Sequence, residues 1–246
     1  MTQDLTPAAQ RLHAYIMDGL LSDIVVARES YGLLRKLGEH SAALLASTYG
    51  HFFDALDRSL LNNYLLAIAR MYDRPSKQFE VRSVPSALAF IRQNAEYFPV
   101  LERHALEARL AHAGMTPGEF AALSDDQLTL AVLEYFERKV PRGGDEAATD
   151  LSRALHAVQA RRNKRVAHSE YTPSELFPKV TWAEAEALVR FAEDAISSIS
   201  FGYLRLALST DDGTFMLEGD AGRAPRALER MLRAAGVLAD SRSPAA

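Results

Sequence analysis

The sequence predicts an all-α protein: a bundle of long helices with appended short helices and a small C-terminal hairpin. Three observations carry this reading. Apolar residues recur at three- and four-residue steps over most of the 246 positions. Capping-box patterns and prolines fall where those stripes begin and end. No repeat at a solenoid period is evident, which leaves a single bundle as the simplest arrangement.

The elements follow in order. Thr6-Pro7 supplies a cap and a first-turn proline. The stripe Leu12, Tyr15, Ile16, Leu20, Ile24, Ala27, Tyr31 and Leu34 then predicts a first long helix, ended by Gly38. A second long helix starts at Ser41, carries Leu44, Leu45, Tyr49, Phe52, Phe53, Leu56, Leu60, Tyr64, Leu65, Ile68 and Met71 as its stripe, and stops before Pro75. Residues 75–82 read as extended, and Pro85 opens a short helix from Ser86 to Asn94. Thr116 to Glu119 and Ser124 to Gln127 are successive capping boxes, the second opening a helix through Leu128, Val132 and Phe136. Pro141-Arg142-Gly143-Gly144 breaks the chain.

A fourth long helix carries Ala147, Leu151, Leu155 and Val158 and ends ahead of Thr172-Pro173, because a residue before proline is pushed away from helix. Thr181 and Glu184 form another capping box, opening a helix through Leu188, Phe191, Ala195 and Ile199. Asp211-Asp212-Gly213 reads as a turn, with Thr214 to Glu218 as a strand of the small hairpin. Pro225 to Leu238 reads as a last short helix, followed by a loose tail from Ser241. These elements divide into a bundle over 5–208 and a C-terminal extension over 209–246.

Composition narrows the function. The chain is 48% apolar and 24% charged, as in a soluble globular protein. It has no cysteine, which removes disulfides, thiolate zinc sites and cysteine nucleophiles, and fits a cytoplasmic location. Met1 to Thr6 lack the basic start of a signal peptide. No stretch approaches the roughly 18 apolar residues of a membrane span, so no membrane partner is expected. The net charge of −4 disfavours a nonspecific nucleic-acid binder but leaves room for a local basic site. Gly143-Gly144 is followed by Asp145 and not by Lys, so no phosphate loop is present, and there is no Gly-x-Ser-x-Gly elbow. His13, His40, His51, His104, His112, His156 and His168 show no metal-binding spacing, and neither metal nor cofactor is expected.

The segment Arg162-Asn163-Lys164-Arg165-Val166-Ala167-His168 carries the remaining chemistry. With Arg161 it gathers a dense basic cluster around a proton-transfer group. One reading is a solvated basic helix end, where cations complement the macrodipole. Two details favour a site. Arg162 continues the stripe of Leu151, Leu155 and Val158, so it points inward or toward a partner, and an inward arginine needs an anion. His168 lies in the last turn, where the dipole favours imidazolium and the neighbouring arginines oppose it, so the balance of the two decides whether it titrates near neutrality. In a regular helix, residues six apart differ by about 120° in direction. Hence the helix loosens before His168, or a symmetry mate completes the site, or Arg161 is the true partner. Arg70 and Asp73, three apart near the end of the second helix, read either as a local ion pair or as support for Arg162 or His168.

The Arg-polar-x4-His arrangement of Arg162, Asn163 and His168 resembles the signature of HEPN-domain proteins. The long N-terminal helices and the run Ala67-Ile68-Ala69-Arg70-Met71-Tyr72-Asp73 resemble the AbiU-like branch of phage abortive-infection systems, over about residues 10–210. The resemblance implies a helical bundle that dimerises through its motif-bearing helices and cleaves RNA without a metal. Carried over, Arg162 grips the scissile phosphate, His168 is the general acid or base, and Asn163 orients the site. Arg161, Lys164 and Arg165 hold neighbouring phosphates. An antitoxin protein is the implied partner beside RNA. A noncatalytic HEPN module that binds RNA, a nucleotide or a protein is the alternative, and a helical scaffold without a ligand is a third reading.

Overall fold

The computed structural model describes residues 6–98, 103–143, 149–163, 178–210 and 214–238. Among these the chain is all-α, as its apolar periodicity requires. Helix α1 (Pro7–Tyr15) starts on the Thr6 cap, whose hydroxyl accepts from the Ala9 amide at 3.2 Å. It continues through a wider π-type turn, Ile16–Leu20, into α2 (Leu21–Glu39). The predicted first helix is therefore continuous but locally unwound. Gly19 sits in the wide turn, and a Cβ there would lie 2.4 Å from the Cβ of Arg82. The glycine is what lets the segment before the fifth helix press against the first. Helix α2 ends at Glu39, one residue past the expected Gly38.

The predicted second helix is interrupted. It forms as α3 (Ser41–Ala46) and α4 (Gly50–Met71). At the break the Ser47 hydroxyl donates to the Leu44 carbonyl and accepts from the Tyr49 amide, a local alternative to helical bonding. Leu45, Tyr49 and Phe52 are exposed as a result, so the expected stripe is broken at its start.

Helix α5 (Val84–Gln93) is capped by Ser83. Helix α6 (Arg103–His112) has no counterpart in the sequence reading. Helix α7 (Asp125–Lys139) starts on the Ser124–Gln127 capping box, α8 (Asp150–Arg161) on Thr149, and α9 (Trp182–Leu204) on the Thr181–Glu184 box. Short α10 (Glu218–Ala221) and α11 (Arg223–Ala234) follow. The expected C-terminal hairpin is corrected to one antiparallel bridge, Ser209 to Phe215, because the chain turns into α10 within the residues assigned to its second strand.

Helix α9 is the axis of the bundle. Residues 195–200 are all buried, so this stretch has no solvent face. Helices α6 and α8 pack along it. Helices α2 and α4 form an antiparallel pair: Tyr31 stacks on Tyr64 at 5.8 Å, and Asp23 at the start of α2 meets Arg70 at the end of α4. Fully buried Leu12, Ile16, Ile24, Ile68 and Leu188 join these helices into one core, each worth roughly 1.5–3 kcal/mol relative to exposure. Helix α11 closes against α2, where Pro225 approaches Gly32 so closely that a Cβ there would lie 2.8 Å from the ring. The Tyr72 hydroxyl donates to the Leu188 carbonyl at 2.5 Å and pins the end of α4 to α9. The start of α2 and the C-terminal ends of α4 and α8 thus meet at one end of the bundle.

Candidate functional site

That shared end holds the motif. Leu155 and Val158 are buried, and Arg162 follows them on the same face at the end of α8. Its Nη1 donates to Asp73 Oδ1 at 2.7 Å, and its Nε donates to Asn163 Oδ1 at 3.0 Å. The anion that an inward arginine needs is therefore Asp73, the residue two beyond α4. The side chains of Arg162 and Asp73 are 21% and 35% exposed, which keeps the pair within reach of solvent and ligand. Among the described residues, Nη2 of Arg162 makes no hydrogen bond. Arg162 is thus held by two anchors and still offers a planar cationic donor edge.

The local ion pair expected between Arg70 and Asp73 does not form. Arg70 bonds across the bundle to Asp23 instead, Nε at 2.9 Å and Nη2 at 2.5 Å from Oδ1. Antiparallel packing of α2 on α4 puts Asp23 nearer to Arg70 than its own helix neighbour is placed to be. The outcome is two crossed pairs, Asp23 with Arg70 and Asp73 with Arg162. Burial raises the Asp23 carboxyl above its usual range, Arg70 pulls it back down, and the Asp73 charge adds to the rise. The two pairs therefore share one electrostatic field.

Asp23 escaped the sequence reading, although a signal existed. It lies three residues after Leu20 and four before Ala27, on the buried stripe itself. An acid on a core stripe requires a cation. Arg28 carries the same signal between Ile24 and Tyr31, and it meets Glu193 and Glu186 of α9.

The helix widens into a π-type turn at Arg162 and Asn163, so loosening begins at the motif's own arginine. Asn163 is exposed and Arg161 partly buried. Lys164, Arg165 and His168 lie outside the described residues. Among the described residues, no group of His, Asp or Glu side chains is arranged to hold a metal ion, and no helix is long and apolar enough to cross a membrane.

A family model, described as AbiU2 and belonging to the HEPN class, matches residues 10–224. The match runs from within α1 through α10 and includes Asp23, Arg70 and Asp73, and the whole Arg162–His168 segment. No curated protein and no solved structure gives a significant match to the chain.

Proposed function

Because this chain belongs to the AbiU2 family of HEPN proteins, we propose that it is an endoribonuclease of phage defence or toxin type, working without a metal, with Arg162 and His168 at its centre. The observation that carries the reading is the anchoring of Arg162 by Asp73 and Asn163, with Nη2 making no hydrogen bond among the described residues. A charge meant only for the fold gains nothing from an open edge.

In this reading the 2′-hydroxyl of the substrate attacks the adjacent phosphorus and the bond from phosphorus to the 5′-oxygen breaks. His168 takes the proton of the 2′-hydroxyl or supplies one to the leaving 5′-oxygen, a contribution typically worth about 10²–10⁴-fold. Arg162 offers Nη2 to the phosphoryl oxygens as negative charge builds on them. Asn163 and Asp73 fix the plane of that guanidinium. Arg161, Lys164 and Arg165 hold flanking phosphates, which makes binding salt-sensitive. Two chains pair through their motif-bearing helices, and an antitoxin protein restrains the dimer.

The test is RNA cleavage in chelator by the wild type, Arg162→Ala and His168→Ala. Cleavage by wild type alone, leaving 2′,3′-cyclic phosphate ends, is the expected result. Intact RNA in all three reactions, with the wild type freed of any co-purified protein, would overturn the reading in favour of a noncatalytic binding module.

A further inference from the structure

We propose that the groove between α1, the 75–82 segment and α5 holds the single-stranded RNA that flanks the scissile phosphate, with Phe79 as its stacking platform. The inference rests on the endoribonuclease reading and adds to it the form of RNA and the residues that select it.

Three observations point there. The first is continuity. A cavity of about 490 Å³ is lined by Arg74, Arg142 and Gln159. Arg74 adjoins Asp73, and Gln159 lies one helical turn before Arg162 on α8, so the cavity begins beside the anchored arginine. It shares Ala89 with a groove of about 800 Å³ lined by Arg11, Tyr15, Lys77, Gln78, Phe79 and Asn94. The two cavities therefore adjoin at Ala89, on the side of the bundle where Arg74 follows Asp73.

The second observation is chemistry. Arg74 and Arg142 line the first cavity, Lys77 and Arg11 the groove, and all four are exposed cations of the kind that attract a phosphate backbone. Glu80 is the acid within the groove lining, and it is held in exposed pairs by Arg11 at 3.6 Å and by Arg82 at 3.8 Å. Gln78, Gln93 and Asn94 bring amides that donate and accept, the property needed at the edges of unpaired bases.

The third is Phe79. The residue is 66% exposed and lines the groove, whose lining also holds the packed pair Tyr15 and Phe90, 5.6 Å apart. An aromatic ring left open in a basic, amide-lined groove is a platform for a base, and stacking of this kind requires a base that has left the duplex.

The measurement is binding and cleavage of a short fluorescein-labelled single-stranded RNA, and of its matching duplex, by the wild type, Phe79→Ala, Lys77→Glu and Arg162→Ala. Phe79→Ala is expected to weaken single-strand binding by about tenfold, the effect of losing one stacked base, and to leave duplex binding unchanged. Lys77→Glu weakens both and flattens the salt dependence. Arg162→Ala loses cleavage and keeps most of the affinity. Both groove residues are exposed, so the variants keep the wild-type melting temperature. Should the wild type bind and cleave while Phe79→Ala and Lys77→Glu stay within about twofold of it, the groove assignment falls and the endoribonuclease reading stands. Should the wild type neither bind nor cleave single-stranded RNA, both fall together.

Discussion

Arg28 and Arg162 both meet carboxylates across this bundle, and they are used differently. Arg28 on α2 faces α9. Its Nε and Nη2 donate to Glu193 at 2.7 and 2.5 Å, and its Nη1 lies 3.4 Å from Glu186. Those side chains are 14% and 8% exposed for the Arg28–Glu193 pair. Arg162 gives one nitrogen to Asp73 and one to its neighbour Asn163, in a more open setting. The first guanidinium is mostly buried and bonded to two glutamates of α9, a brace between two helices. The second is oriented, and among the described residues its Nη2 makes no hydrogen bond. The buried pair reads as a structural charge, and the more open one is the arginine that the proposed function would use.

The strongest way to break this contrast is to remove the motif. Arg162→Ala should lower RNA cleavage by about 10²–10³-fold, and His168→Ala by about 10²–10⁴-fold, each with an unchanged melting temperature. A loss of fold in step with activity would make Arg162 a second brace.

The reverse pattern is expected at the buried pair. Glu193→Ala leaves Arg28 without its main partner and should cost about 3–5 kcal/mol of stability. The paired replacement Arg28→Met with Glu193→Leu should recover most of it. Denaturant unfolding reads both, and equal stability of the single and paired variants would sink the account.

Asp194, beside Glu193, sharpens the same region through pH. Burial pushes its carboxyl up to about 6, the Glu193 charge pushes the same way, and His112 and Arg190 oppose. The unfolded value is near 3.9, so between these values the native state holds more protons than the unfolded chain. Stability therefore falls as pH rises from about 4 to about 6, and the cost is fully present above that. Asp194→Asn should raise stability by about 1–2 kcal/mol at pH 7.5 and do little at pH 4. Equal gains at both pH values would refute the titration account.

The smallest effect is expected at Asp73. Asp73→Asn keeps one acceptor for Arg162 but removes its charge. Cleavage should drop about three- to tenfold through kcat, with KM and stability little changed, since a partly exposed pair contributes at most about 1 kcal/mol. A change confined to KM would mean that Asp73 acts on binding instead of orientation.

Much of the fold was legible in the sequence because helix periodicity and caps are local. The stripes of α2 and α4, the boxes opening α7 and α9, and the Arg162 position on the core face of α8 all depend on residues within one or two turns. Helix α6 was not legible. Its buried face is Leu106, Arg109 and Leu110, and a charged residue hides the stripe. Arg109 is accommodated there with its guanidinium 3.8 Å from the centroid of the Phe201 ring and donating to the Ser209 carbonyl. The break at Ser47 was equally hidden, since the apolar spacing runs straight through it.

The candidate site divides in the same way. Its residue types and the inward aim of Arg162 are local properties, so the chain by itself determined them, along with the helical class and most helix starts. Tertiary structure alone decided who answers whom: Arg70 turns to Asp23, and Asp73 is left for Arg162. The reason is distance in sequence. Asp73 and Arg162 are 89 residues apart and Asp23 and Arg70 are 47 apart, and only the antiparallel packing of α2 on α4, with α8 ending alongside, brings those charges within hydrogen-bond reach.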